Sequence, residues 1–281
     1  KTHQKTLIVE LKGDELNAYN KYRNELTKSE MFPTNLGDEH RRIVYAAFFS
    51  KGMLALGANE PRPPESLQLL ERFAGVFDQA YIRFIDLKNA EAQAREAQIE
   101  AALEKVRSRT MAMHKSHELA EVVQVVFEQL QQINFNIDTA SFSLNYKEYP
   151  FNVWMAAPNQ PYPAKIEIPD VDISLMNRIS QVIAEGLDFF ATTFNYEEKN
   201  QWLNHVFEHT IIKYAAEERK NYMRNAAGIS ISISLLKQIA LTIGNYVTIP
   251  YTEEENEILT RFAKVFEQTY TRFLDLQKAE A

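Results

Sequence analysis

One segment of this 281-residue chain occurs twice, and no fold that ignores this can be right. Glu65 to Ala92 reads ESLQLLERFAGVFDQAYIRFIDLKNAEA, and Glu254 to Ala281 reads EENEILTRFAKVFEQTYTRFLDLQKAEA. At an offset of 189 residues, 16 of 28 positions are identical. The shared set includes Arg72/Arg261, Phe73/Phe262, Phe77/Phe266, Tyr81/Tyr270, Phe84/Phe273 and Leu87/Leu276. A weaker match lies upstream, where Thr6–Leu11 and the helix-like GDELNAYNKYRNEL resemble Phe189–Phe194 and YEEKNQWLNHVFEHT. Upstream of that match, copy two continues back to residue 115, whereas copy one has five residues. Copy two therefore reads as complete and copy one as lacking its N-terminal half. With Lys as first residue, the sequence reads as part of a longer chain.

Periodicity supplies the elements. Residues 5–11 read as a strand, 15–26 as a helix, and 28–42, with Pro33, Asn35 and Gly37, as a loop. Residues 43–50 and 53–57 read as a hairpin around Lys51-Gly52. Pro61-Arg-Pro-Pro64 stops that hairpin and opens a helix reaching about Met113. In copy two, helix is expected over 117–133, 172–185, 196–214 and 251–281. Strands are expected over 139–146, 151–157, 165–168, 188–194, 226–235 and 239–247. The fold class is α+β, an antiparallel sheet flanked by helices. The domains read as 1–90, the C-terminal part of a first module; 91–114, a helical linker; and 115–281, a complete second module.

The long helix changes character along its length. Phe73, Val76, Phe77, Ala80, Tyr81, Phe84 and Leu87 make a broad stripe suited to packing on a globular body. Ile99, Leu103, Val106, Thr110 and Met113 are spaced 4,3,4,3, as a coiled-coil seam requires, with Leu103 and Thr110 at a and the others at d. Glu96 falls at the preceding a position and interrupts the seam. This pattern predicts a homodimer through the linker, parallel or antiparallel, against the alternative that 92–113 packs back on its own chain.

The run AEAQAREAQIEAALEKVRSRTMAMHKSHELAEVV, preceded by RFAGVFDQAYIRFIDL, resembles the GAF-like sensor modules strung in tandem in large bacterial sensor histidine kinases and related signalling proteins. The resemblance covers residues 115–277 as one module and 5–87 as the C-terminal part of another. It implies a non-catalytic, dimerising small-molecule sensor in a cytoplasmic two-component system, relaying change through helical linkers. The N-K-x-F-x-D-E pattern of the cyclic-nucleotide type is missing, so the ligand is left unidentified.

Chemistry-bearing patterns are sparse. The chain has no Cys, which excludes disulfides, thiol nucleophiles and thioether-linked bilins. Eight Gly and no glycine-rich fingerprint disfavour phosphate loops, and a net charge of −7 argues against general nucleic-acid binding. No apolar run is long enough to cross a membrane. Phe142, Tyr146, Trp154, Phe189, Phe190 and Trp202, with Phe194, fit either a ligand pocket between sheet and helices or an ordinary core. His205 and His209, with Glu208 between, have the i,i+4 spacing of a metal-dependent hydrolase, but no third ligand stands out, and an incidental helix pair is the simpler reading. Ser116-His117-Glu118-Leu119 resembles a phosphoacceptor box without its usual continuation, which favours coincidence at a helix start. Lys105, Arg107, Arg109 and Lys115 follow Glu96, Glu100 and Glu104, as on a solvated helix face. The functional alternative to a sensor is a spacer that binds nothing.

Overall fold

The computed structural model describes residues 5–115, 118–144, 146–147, 149–158 and 164–280, with side chains to residue 275. The protein is mixed α and β with antiparallel sheets flanked by helices, in two compact units, residues 1–94 and 95–281. Among the described residues no helix is long and apolar enough to cross a membrane.

The first unit holds β1 (Thr6–Lys12), α1 (Gly13–Thr27), β2 (Arg41–Phe49), β3 (Gly52–Ala58) and α2 (Pro64–Met111) as far as residue 94. The three strands pair antiparallel in the order β1-β2-β3. β1 turns straight into α1 at Gly13, whose φ of +48° is cheap only without a Cβ. The loop after α1 is tied down by three asparagines on one helix face: Asn17, Asn20 and Asn24 donate to the carbonyls of Leu36, Pro33 and Phe32 at 2.7–2.9 Å. These bonds satisfy backbone groups that no sheet reaches. The apolar centre is small, with Ile43, Tyr45 and Ala58 packed against Leu67 and Leu70.

The second unit is larger and three-layered. After α2 come α3 (Leu119–Gln132), β4 (Thr139–Leu144), β5 (Phe151–Ala156), β6 (Ala164–Ile168), α4 (Ser174–Ala184), β7 (Phe189–Asn195) and α5 (Tyr196–His209). A 3-10 turn (Ile211–Tyr214), α6 (Glu217–Asn225), β8 (Gly228–Leu235), β9 (Ile239–Asn245) and α7 (Glu253–Glu280) complete it. Six strands form one antiparallel sheet, β6-β5-β4-β9-β8-β7. Its first face carries Ala140, Phe142, Leu144, Leu241 and Ile243 into a core closed by residues of α2, α3 and α7. Phe142 stacks on Phe266 at 3.9 Å between ring centroids. The other face meets α4 and α5 through Phe194, Ile231, Leu175, Val182, Leu203 and Val206.

Two expectations change. The helix read over 196–214 stops at His209, because Thr210 goes extended and its hydroxyl caps the 3-10 turn by accepting from Ile212 N. Residues 217–225, to which no helix or strand is assigned above, form a helix, α6, with no buried residue of its own.

The seam residues are the larger correction. Ile99, Leu103, Val106, Thr110 and Met113 are all buried, the four apolar ones in the core that α3 and α7 close. Arg261 of α7 bridges Glu96 and Glu100 at 2.6 Å each, fastening the same stretch of α2 from outside. A partner helix at this seam would have to displace the chain's own α3 and α7. A 4,3,4,3 apolar spacing is what any long helix shows when it lies along other helices, so the pattern alone does not name the source of the neighbour. The basic streak is likewise spent within the unit: Arg107 on Glu104, Arg109 on Glu121 and Glu118, and Lys105 on Gln132.

Candidate functional site

Between the sheet and the α4/α5 layer of the second unit lies a cavity of about 850 Å³. Its origin is in the residue sizes on the two central strands. β4 presents Thr139, Ser141 and Ser143 to this side, and β9 presents Ala240 and Thr242. Ser141 and Thr242 are cross-strand partners, as are Ser143 and Ala240, so four small side chains sit together in the middle of the floor. The flanking strands carry bulk: Phe151 and Val153 on β5, Ile229, Ile231 and Ile233 on β8. The recess is therefore bounded by large side chains and floored by small ones, and α4 and α5 span it with Leu175, Met176, Ile179, Trp202, Leu203 and Val206.

The lining is mostly apolar, with hydroxyls along the floor. The Thr139 hydroxyl oxygen is buried and has no hydrogen-bond partner among the described residues. An unmet buried hydroxyl is a cost of roughly 1–3 kcal/mol that a ligand group can remove. At the same end stand Arg219 and Tyr222, on α6, and Tyr246, just after β9. They converge on Asp138, whose carboxylate accepts from Tyr246 N at 2.7 Å, from the Tyr222 hydroxyl at 3.2 Å and from Arg219 at 3.3 Å. A second guanidinium N–H of Arg219 donates to the Asp138 carbonyl at 2.9 Å. The guanidinium lies 5.2 Å from the Tyr222 ring and 5.8 Å from that of Tyr246, within cation–π range. Burial, then the Asp138 carboxylate, raises the Tyr222 phenol above its ordinary range. Burial does the same more strongly for Tyr246, so both phenols remain neutral.

α6 roofs this end with Glu218, Arg219, Tyr222 and Met223. Lacking a buried face, it is held by polar latches. Asp138 holds the Arg219/Tyr222 side. Lys199, fully buried, holds the last turn by donating to the carbonyls of Met223 at 2.6 Å and Arg224 at 2.8 Å. A cation at orphan C-terminal carbonyls is favourable for both partners. Burial pulls the Lys199 ammonium below its usual range.

Of the seven aromatics singled out in the sequence, Tyr146 and Trp202 line the cavity. The Tyr146 hydroxyl donates to Leu236 O at 2.5 Å, and burial, then Glu267, raises its phenol. Phe142 and Trp154 are cross-strand partners and share the opposite face of the sheet, in or against the core under α7. Phe189 packs on that face too, while Phe190 joins the α4/α5 side without reaching the cavity. The missed floor residues were small and polar, and their signal was the alternation Thr-Ala-Ser-Phe-Ser-Leu over β4.

His205 and His209 lie with ring centroids 4.8 Å apart on α5. His209 meets Glu208 at 3.6 Å, and the Nε2 of His205 is buried without a hydrogen-bond partner among the described residues. Among the described residues no group of three or more His, Asp or Glu side chains is placed to hold a metal ion. Ser116 and His117 lie outside the described residues. The sequence matches no known family and no curated protein.

Proposed function

We propose that the second unit is a sensor module of the GAF-like kind, non-catalytic itself, which binds a small molecule in the cavity against β4 and β9. The observation that carries this reading is the half-open, apolar-lined space of about 850 Å³ floored by hydroxyls, one of them unpartnered among the described residues. Space of that size against a flat sheet suits a compact, largely apolar molecule with hydrogen-bonding groups along one edge. The output route is the sheet itself. The faces of β4 and β9 opposite the cavity carry Phe142, Leu241 and Ile243, which press on α7 and α3. A ligand that favours one seating of that core biases where α2 and α7 lie, as a population shift demands. The setting is a bacterial cytoplasmic signal-transduction chain, from the resemblance of the linker run to such proteins.

The test uses Trp202, which lines the cavity. In a Trp154→Phe background it is the only tryptophan. Native mass spectrometry of protein purified from cells, and thermal shift with a panel of aromatic alcohols and medium-chain carboxylic acids, would find a binder. Occupancy at a hundred times Kd stabilises by about 2.7 kcal/mol and shifts Trp202 emission. Ser141→Phe fills the floor and should remove both effects while leaving the fold intact. If no compound moves Trp202, or if Ser141→Phe leaves binding unchanged, the module is a spacer or binds elsewhere.

A further inference from the structure

The first unit repeats the C-terminal half of the second, apart from the 3-10 turn and α6, where the first unit has a loop. β1, α1, β2, β3 and α2 correspond to β7, α5, β8, β9 and α7, and the strand orders β1-β2-β3 and β7-β8-β9 agree. A polar contact repeats as well. Asp78 of α2 accepts from Ser50 N at the β2–β3 turn, at 3.1 Å, and its counterpart Glu267 of α7 accepts from Gln238 N at the β8–β9 turn, at 2.8 Å. The helix thus sits on its hairpin in the same register in both.

The surroundings differ. Phe262, Phe266 and Phe273 are 0%, 0% and 6% exposed, while their counterparts Phe73, Phe77 and Phe84 are 58%, 46% and 51% exposed. In the second unit the cover comes from residues 95–144. α2 and α3 bring Ile99, Leu103, Val106 and Leu130, and β4 brings Phe142, which stacks on Phe266. That segment also pairs β4 along the outer edge of β9. In the first unit the corresponding edge, that of β3, has no strand beside it among the described residues. Arg261 holds Glu96 and Glu100 of the cover, whereas its counterpart Arg72 is exposed and makes no ion pair among the described residues.

We propose that the first unit is a docking surface for a helix–helix–strand segment with the chemistry of residues 95–144. That segment carries Ile, Leu or Val at 3,4 spacing, a glutamate pair four residues apart for Arg72, and a following strand with an aromatic for Phe77. The strand adds to β3 by β-augmentation, and the helices cover the Phe73–Phe84 stripe. Three independent deficits of the first unit among the described residues, a bare stripe, an open edge and an unpaired arginine, are those that one such segment fills in the second. The inference does not depend on the cavity holding a ligand.

The test adds a synthetic peptide of residues 95–144 to the full chain and follows hydrogen exchange in β3 and in residues 72–88 of α2. Saturating peptide should slow exchange in both stretches by about tenfold or more. Arg72→Glu should weaken the effect by roughly tenfold, and a peptide carrying Glu96→Lys and Glu100→Lys should restore it to that variant alone. Phe77→Asp, at an already exposed position, should abolish protection without unfolding the chain. Absence of protection at saturation, or insensitivity to the charge swap, would overturn the proposal. Protection that rises with chain concentration in the absence of peptide would also overturn it, by assigning the surface to a second copy.

Discussion

Phe266 and Phe77 occupy the same position of one repeated helix, which makes them a matched pair for measuring what the missing cover is worth. Phe266 is fully buried, stacked between Phe142 at 3.9 Å and Tyr270 at 5.5 Å. Truncation to Ala removes a whole ring from a closed core and should cost about 3–5 kcal/mol. Phe77 keeps nearly half its surface in water and touches Phe49 edge-on at 5.1 Å. Only the buried part can be lost, so Phe77→Ala should cost about 1–2 kcal/mol. Both tryptophans, Trp154 and Trp202, lie in residues 95–281, so their emission in urea reports the second unit. At a slope of about 2 kcal/mol/M, Phe266→Ala should lower the tryptophan midpoint by roughly 2 M. The Phe77→Ala loss is read from native-state exchange of β2 and β3. Equal losses for the two substitutions would show that the stripe of the first unit is as buried as that of the second, and the contrast drawn between them would fall.

Leu103→Ala should destabilise the second unit by about 2–5 kcal/mol without altering the sedimenting mass, whereas Lys105→Ala should stay within about 0.5 kcal/mol. Dissociation of a dimer by Leu103→Glu at unchanged protomer stability would instead restore the interchain seam. Lys199→Met keeps the stem but removes the donors to Met223 and Arg224, so amides of Glu217–Asn225 should exchange at least about tenfold faster; an unchanged rate would mean that α6 is held otherwise. Burial, aided by the nearby His209, holds His205 below its ordinary value of 6.5, so the unfolded chain takes up the proton first. Stability contributed by neutral His205 is complete above about pH 6.5 and declines as pH falls from there toward the lower folded value. His205→Gln should flatten that decline in thermal melts, and an unaltered pH profile would refute the assignment.

Most elements were legible because their periodicities are strong and the repeat cross-checks them: the β8–β9 hairpin, the β4–β5 pair and the long α2 and α7 fall where alternation and 3.6-residue spacing put them. The site was less legible, for a physical reason. In a sheet covered on both faces, alternation separates the faces but does not say which one meets a cavity. Large aromatics such as Phe142 and Trp154 went to the tightly packed face. Small hydroxyl residues, Ser141, Ser143 and Thr242, left the space. α6 was illegible because nothing apolar repeats along it; it is fixed by Lys199 and Asp138, which are remote in sequence. The seam misled because its neighbours, α3 and α7, arrive from later in the same chain.

Strand β8 reads GISISISL, and all eight of its residues are buried. Its isoleucines look into the cavity, and its serines look toward α7, where the Ser232 hydroxyl donates to Asn256 at 2.8 Å. Two recipes are thus interleaved in one ribbon, each written on every second residue. β-branched side chains have little rotational freedom, so the isoleucine wall behaves as a rigid mould that does not slump into the hollow beside it. Trimming Ile229, Ile231 or Ile233 to valine would enlarge the hollow one methyl at a time, at about 0.5–1.5 kcal/mol each. No such edit touches the serine side, where the small residues let a helix lie close. The shape of the chamber can therefore change through odd-numbered positions while the seating of the helix stays written in the even ones.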